Sequence, residues 1–581
     1  MRYLIIPVLI FFFISCETEK ENKTDDFTTH FENSSGNETA TYLQVIEFYI
    51  RLAREFPEVN VQTIGQTDSG RPLHLVTLNP ESDFNFRKLQ QEKLVIFINN
   101  GIHPGESDGI DASMMLFRDY ATGKLELPEN TIIVTIPVYN VGGALNRNNS
   151  SRANQEGPES YGFRGNAKNF DLNRDFIKSD SKNSRTFAQI FHLVKPDIFI
   201  DTHVSNGADY QYTLTHLFTQ HDKMGHPLGS FLHAQWRPGI ENALKESGEE
   251  ITPYVNVYNK PPDSGFSQFM DYPRYSTGYT TLWNTLGLMI ETHMLKPYKE
   301  RVTATYLMLK TIVEYSASES AMIKDLRNKA FEEQLLLENY PIRWELDTTQ
   351  TRTLQFRGYE ADTIPSQVTG LPRLKYNREQ PFTKELPYMD RYVPTDSVSI
   401  PEAYIVPRPW EEVRELLDLN KVNYTVLQKD TTMAVESYRI TAYQTRTSPY
   451  EGHYPHFDTR TETRLVTKTF GEGDLLVPTA QPALRYLVET LEPGAPDSFF
   501  NWNFFDAILQ RKEGFSSYVF EDAAAKILEM NPGLAREFRE KKETDAGFAA
   551  DSYAQLNWIY ERSPYYEAAH MQYPVYRIPK K

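Results

Sequence analysis

Apolar and polar positions alternate differently in the two halves of the chain. From Tyr42 to Phe56, Leu43, Ile46, Ile50 and Ala53 recur on one helical face, and Val45, Tyr49, Leu52 and Phe56 widen the stripe. This predicts an amphipathic helix, stopped by Pro57. Val59–Ile64 and Leu73–Leu78 read as strands around the turn-rich Gly65–Arg71. Two continuous apolar runs, Leu94–Ile98 and Thr131–Val138, have the character of strands buried on both faces. A helix is expected from Asp108 to about Thr122. Asn140–Asn173 is a long irregular stretch rich in Asn, Gly and Arg, and such loops inside compact domains are usually functional. Further on, helices are expected at Ser184–Val194, Gly229–Ser247 and Tyr298–Leu337, with strands at Asp197–Asp201 and Gly287–Ile290. Strands alternating with helices predict an α/β fold over residues 41–338, a mixed, mostly parallel sheet flanked by helices.

After about Asn339 the pattern changes. Leu346–Phe356 and Arg391–Val406 alternate like strands, and the stretch between them is rich in Pro and charge. Ala403–Val406, Trp410–Leu419 and Tyr424–Leu427 read as strand, helix and strand. Ala434–Thr445 and Thr461–Thr469 are two further strands joined by a Tyr- and His-bearing loop, followed by Gly471–Pro478 and a helix over Ala480–Glu492. Phe499–Gln510, dense in Phe and Trp, is expected to be core, and Asp522–Met530 and Pro532–Glu540 are expected to be short helices. Residues 339–581 carry no strong catalytic motif and are expected to form an α+β accessory region.

Charge and cysteine usage narrow the possibilities. The net charge of −17 argues against nucleic acid as a partner, because phosphate binding needs a basic face. Cys16 is the only cysteine, which excludes an intrachain disulfide and a thiolate metal site. It follows Arg2, an apolar run from Leu4 to Ile14 that is too short to span a bilayer, and Ser15. This arrangement resembles a bacterial lipoprotein signal, which implies a signal peptide at 1–15, lipidation at Cys16 and membrane contact only through that N-terminal anchor. The polar, acidic residues that follow predict a flexible tether over 16–40.

Four strand ends carry the polar residues of interest. His103 and Glu106 follow Leu94–Ile98, the irregular loop follows Thr131–Val138, His203 follows Asp197–Asp201, and Glu291 follows Gly287–Ile290. Active sites of open α/β sheets lie at the carboxyl ends of strands. Two ligands close together and a third from another strand suit a tetrahedral zinc with one open position. His216, His221, His226 and His233 lack this strand-end context and are expected to be ordinary residues.

The set His103-Pro104-Gly105-Glu106, Phe170-Asp171-Leu172-Asn173-Arg174-Asp175-Phe176, Asp201-Thr202-His203 and Ile290-Glu291-Thr292 resembles the zinc carboxypeptidase family of the carboxypeptidase A type, over about residues 40 to 320. The resemblance implies that His103, Glu106 and His203 hold one Zn²⁺ with water in the fourth position, and that Glu291 is the general base. It implies that Asp171 accepts the other N–H of the first zinc histidine, and that Asn173 and Arg174 bind the substrate's terminal carboxylate, which a planar guanidinium can hold in a bidentate fork. Arg152 becomes the candidate for stabilising the oxyanion, with Arg147 and Arg164 competing. Tyr275 becomes the candidate active-site tyrosine, with Tyr272 and Tyr279 in the same window. One departure is Gly105, where pancreatic-type members have Arg; the HPGE form resembles bacterial members and the deglutamylating cytosolic carboxypeptidases. The expected function is a lipid-anchored zinc metallocarboxypeptidase of the cell envelope, acting on extracytoplasmic peptides. The alternatives are a cell-wall peptide amidase or a related deacylase on the same site, and, in another class, a non-catalytic peptide- or glycan-binding lipoprotein.

Overall fold

The computed structural model describes residues 27–580. The expected signal peptide and Cys16 lie outside the described residues. The expected tether over 16–40 is corrected where it is described. Phe27 and Phe31 are buried, Phe27 against Phe48 and Phe31 against Tyr298, and Glu32 pairs with Arg118. Two aromatic side chains give this otherwise polar stretch enough apolar area to dock, so from Phe27 onward it packs on the α/β unit.

An eight-stranded sheet organises the first half. Its strands are β1 (Val59–Ile64), β2 (Leu73–Leu78), β3 (Leu94–Asn99), β4 (Thr131–Ile136), β5 (Ile198–Ser205), β6 (Leu214–Phe218), β7 (Ile251–Pro253) and β9 (Leu286–His293), in the order β1-β2-β4-β3-β5-β9-β6-β7. The two-residue β8 (Phe266–Ser267) pairs elsewhere. The central strands β4, β3, β5 and β9 are parallel, and β1, β2 and β6 join antiparallel. β3, β4 and β5 are buried at every residue, which is why β3 and β4 read as continuous apolar runs and β5 opens on one over Ile198–Ile200. Helices Tyr42–Glu55, Asp108–Ala121, Lys182–Val194 and Tyr298–Ser318 pack around this sheet and share one core with it. The long helix expected over 298–337 is broken at Glu319 into Tyr298–Ser318 and Ser320–Gln334.

The second half is richer in β-structure than expected. Leu346–Phe356 is not one strand: it spans the end of β10 (Asn339–Leu346), a turn and the start of β11 (Arg352–Pro365). The Pro- and charge-rich stretch forms a long hairpin of β11 with β12 (Pro372–Met389), and β12 also pairs with β8. Proline is tolerated there because such a ribbon has free edges. Arg391–Val406 divides into β13 (Tyr392–Ser399), which pairs with β10, and β14 (Ala403–Val406). A six-stranded sheet then runs β15 (Thr425–Val426), β18 (Leu475–Pro478), β14, β19 (Gln572–Ile578), β16 (Thr431–Thr445) and β17 (His456–Phe470). β19 sits near its middle although it contains Pro574. Phe499, Phe500, Trp502 and Phe505 are core, as their composition suggested. Packing does not lapse at residue 339. The hydrophobic core runs from the first sheet into Val413, Leu416 and Tyr486, and Trp283 stacks on Tyr486. Among the described residues no helix is long and apolar enough to cross a membrane.

Candidate metal centre

The site stands on the carboxyl ends of β3, β5 and β9. Gly101, at φ +66°, turns the chain sharply after β3 and directs His103 and Glu106 back over the sheet. In the parallel pairing of β5 with β9, His203 lies opposite Glu291, and in that of β3 with β5, Asn99 lies opposite Asp201. A slip of one residue would send these side chains to the other face, so the register is part of the site.

His103, Glu106 and His203 are all buried, and one ligand atom from each lies within 4.8 Å of the others. The Nδ1 atoms of His103 and His203 lie 3.2 and 3.3 Å from the same oxygen, Glu106 Oε2. Their Nε2 atoms face away, His103 Nε2 at 2.9 Å from Asp171 Oδ1 and His203 Nε2 at 3.0 Å from Asp201 Oδ2. His103 thus hydrogen-bonds a carboxylate through Nε2, His203 Nε2 faces one in a charge contact, and both rings turn Nδ1 inward. Three acceptors then converge on one buried point, an arrangement that repels itself unless a cation or a proton sits among them. Two imidazoles and a carboxylate fit zinc, and the flanking aspartates fix ring orientation and raise ligand basicity.

The charges follow this geometry. Burial would raise Glu106, but His103 and Arg152 hold it well below the usual carboxylate range. Burial likewise opposes the low value of Asp171, which His103, Arg164 and Arg174 bring down. His203 is pushed well above the ordinary imidazole value: burial works against protonation, but the charge of Asp201 outweighs it. Glu291 is raised to about 7, first by burial and further by Glu106, with His203 pulling the other way.

The loop between Asn140 and Asn173 supplies the cationic wall. It contains a short helix, Val141–Leu145, and a 3₁₀ turn, Leu172–Arg174, that Asp171 caps through Asn173 N–H at 3.0 Å. Arg152 Nη2 donates to Glu106 Oε1 at 2.8 Å. Arg164 donates to the same oxygen at 3.4 Å and holds Asp171 Oδ2 with Nε and Nη2 at 3.0 and 2.9 Å. Arg147 is spent on the backbone carbonyls of Thr39, Ala40 and Ser160 and does not reach the centre. Asn173, Arg174, Leu217, Phe269, Met289 and Glu291 help line a cleft of about 220 Å³ beside the metal-ligating set.

The three candidate tyrosines separate in space. Tyr275 lines the cleft, with the Arg174 guanidinium 4.6 Å from its ring centre. Tyr279 is fully buried and donates to Asn420 Oδ1 at 2.6 Å, and Tyr272 lies under the Lys223 ammonium. Tyr254 and Tyr258, earlier in the chain than the expected window, also line the cleft. Asp201 was missed as the partner of His203, although two residues apart on one strand share a face. Ser276 Oγ and Asn99 Nδ2 donate to it at 2.6 and 3.0 Å, so it is itself held in place. His216 pairs with Glu241, and His221 stacks on His233, outside the cleft.

Residues 45–198 match the family model of the zinc carboxypeptidases. This stretch carries the zinc carboxypeptidase signature. The matched stretch contains His103, Glu106 and Asp171 and ends before His203 and Glu291, which β5 and β9 bring to them. The chain is 22% identical over 508 residues to carboxypeptidase 2 of Trichophyton rubrum, covering 80% of this chain and 84% of that relative. It is 23% identical over 508 residues to carboxypeptidase 2 of Trichophyton equinum, with the same coverage. Among solved structures, a metallo-carboxypeptidase from Burkholderia cenocepacia aligns at 17% identity and a TM-score of 0.35, over 46% of this chain and 68% of that one. One from Pseudomonas aeruginosa aligns at 15% identity and a TM-score of 0.36, over 48% and 69%.

Proposed function

We propose that this zinc peptidase is a metallocarboxypeptidase that removes C-terminal residues from peptides outside the cytoplasm. The observation that carries the reading is the convergence of His103, Glu106 and His203, with Glu291 paired in register against His203. One Zn²⁺ held by those three ligands would supply Lewis acidity at the scissile carbonyl and lower the pKa of water. Glu291 takes the proton of the attacking water and passes it to the leaving amine. Arg152, fixed beside Glu106, donates to the oxyanion of the tetrahedral intermediate. Asn173 and Arg174 bind the terminal carboxylate, and Tyr275, held against Arg174, borders the same pocket. Asp171 keeps His103 in one tautomer, and Asp201 faces His203 Nε2 as a charge partner. A proton shuttle beside a metal-ligating set has no use in a purely peptide- or glycan-binding lipoprotein.

The substrates would be peptides, cell-wall peptides among them, met at the cell envelope, where lipid on Cys16 would anchor the chain. The test is zinc content together with hydrolysis of peptides as free acids and as C-terminal amides, and of muropeptides, by wild type and Glu291→Gln. Stoichiometric zinc, preference for free acids and loss of turnover in the variant are expected. A protein that holds no zinc, or a variant as fast as wild type, would refute the enzymatic reading; preference for muropeptide bonds over peptide acids would instead favour the amidase.

A further inference from the structure

Two loops border the pocket proposed for the substrate carboxylate, 170–176 with Asn173 and Arg174, and 271–276 with Tyr275. They brace one another. Ser276 N–H donates to Asn173 Oδ1 at 3.2 Å, Phe176 N–H to the Arg274 carbonyl at 3.4 Å, and Arg174 lies over Tyr275. Each loop is also gripped from outside by one carboxylate of the C-terminal half.

On the first loop, Glu451 Oε2 accepts the N–H of Asp171 at 2.8 Å. On the second, Asp497, fully buried, accepts two hydrogen bonds from Arg274, the backbone N–H at 2.8 Å on Oδ2 and Nε at 2.8 Å on Oδ1, and its Oδ1 forms an ion pair with Nη2 at 2.7 Å. The Trp502 indole N–H donates to the same Oδ1 at 3.2 Å, and the Arg274 guanidinium lies 5.2 Å from the Trp502 ring centre.

We propose that Glu451 and Asp497 are positioning residues for recognition of the substrate's terminal carboxylate, so that the C-terminal half completes the specificity site. This rests on the carboxypeptidase reading above. The bonds fall on the residues that flank the substrate-facing ones, Asp171 before Asn173 and Arg274 before Tyr275. Asp171 is also the partner of His103, so Glu451 steadies a residue that joins the metal-ligating set to the carboxylate pocket. Glu451 holds a left-handed backbone, φ +50°, at the turn between β16 and β17, a conformation unfavourable for a side-chain-bearing residue unless its surroundings enforce it. Tyr450 and His453 close that turn with reciprocal backbone bonds, and His453 Nε2 pairs with Asp180 at 2.8 Å beyond the same loop. A glycine would adopt this turn more easily, so a glutamate there retains a side chain for which the fold itself has no need.

The experiment uses the full-length, zinc-loaded protein. Glu451→Gly removes the acceptor while relieving the backbone, so folding is not put at risk, and Glu451→Gln keeps an acceptor oxygen. We measure kcat and KM on a free-acid peptide and its C-terminal amide, and amide hydrogen exchange in the segment containing Asp171. Glu451→Gly is expected to raise KM for the acid by about fivefold to tenfold, the reach of one ordinary hydrogen bond. Its kcat should stay within about twofold, as for a change in ground-state binding. Its acid-over-amide preference should fall by the same factor as KM rises, exchange should quicken, and Glu451→Gln should resemble wild type. Asp497→Asn should shift KM in the same direction. Glu451→Gly with wild-type KM and preference overturns the proposal, as does Glu451→Gln impaired to the same degree. A wild type that shows no preference for the acid refutes the carboxypeptidase reading itself, and the proposal falls with it.

Discussion

Gly105 is the one position of the metal motif where the chain departs from the pancreatic form, and the structure gives the departure a physical cause. A Cβ at residue 105 would lie 2.6 Å from Arg152 Cδ and 3.0 Å from the Gly162 carbonyl oxygen. Carbon atoms rest about 3.5–4.0 Å apart, so Gly105→Ala must drive the Arg152 stem back by about 1 Å. Gly105 does not sit at positive φ, so the substitution meets no backbone penalty of that kind. Arg152 would then lose its 2.8 Å bond to Glu106, and a misplacement of about 1 Å can cost a rate on the order of 100-fold. That corresponds to about 2.7 kcal/mol of transition-state stabilisation, within the range for loss of one oxyanion donor. The steric cost to folding should be about 1–3 kcal/mol. The assay is kcat and KM on a free-acid peptide at full zinc occupancy, with thermal unfolding as a control, for Gly105→Ala, Arg152→Ala and the double variant. If Gly105 acts through Arg152, the double variant is no slower than Arg152→Ala, because the two changes remove one interaction. Wild-type kcat in Gly105→Ala, or losses that multiply in the double variant, would refute the reasoning.

Other consequences are open to direct measurement. Glu291 must be ionised to accept a proton, so kcat/KM is expected to fall as pH drops through its pKa. That acidic limb should lie at or below about pH 7, since a cation in the site favours the carboxylate, and Glu291→Gln should lose it. Arg301, fully buried, pairs with Asp108 at 2.8 Å and donates to the carbonyls of Glu156, Gly157 and Lys296, pinning the loop that carries Arg152. Arg301→Leu strands that carboxylate and those carbonyls, and should cost about 3–5 kcal/mol in chemical denaturation; a change under about 1 kcal/mol would show the network to be dispensable. Cys16→Ser, expressed in a bacterium that lipidates exported proteins, should move the protein from the membrane fraction to the soluble one, and retention in the membrane fraction would rule out a lipid anchor at Cys16.

Much of the catalytic half was legible because the necessary information is local. A strand buried on both faces favours a run of apolar residues, so β3, β4 and the apolar starts of β5 and β9 announce themselves, and the polar residues at their ends stand out against them. The 3₁₀ turn that places Asn173 and Arg174 is likewise encoded by its neighbour Asp171, which caps it. The second half was harder to read. Its hairpin of β11 and β12 is interrupted by prolines, and β19 finds its neighbours β14 and β16 far back in the chain. Such pairings carry no local signature.

The same distinction holds within the site. By itself the sequence placed His103, Glu106, His203 and Glu291 at the carboxyl ends of apolar strands, because short-range patterning marks where strands end, and only its resemblance to the zinc carboxypeptidases implied which would be ligands and which the base. Only the tertiary structure decided that Tyr275 and not Tyr272 or Tyr279 borders the cleft, that Arg152 and Arg164 converge on Glu106 while Arg147 does not, and that Asp201 holds His203. It also decided that Glu451 and Asp497, far along the chain, grip the loops of Arg174 and Tyr275 through Asp171 and Arg274. Those outcomes depend on how long loops settle against one another and against a second sheet, and the packing of the whole molecule sets that.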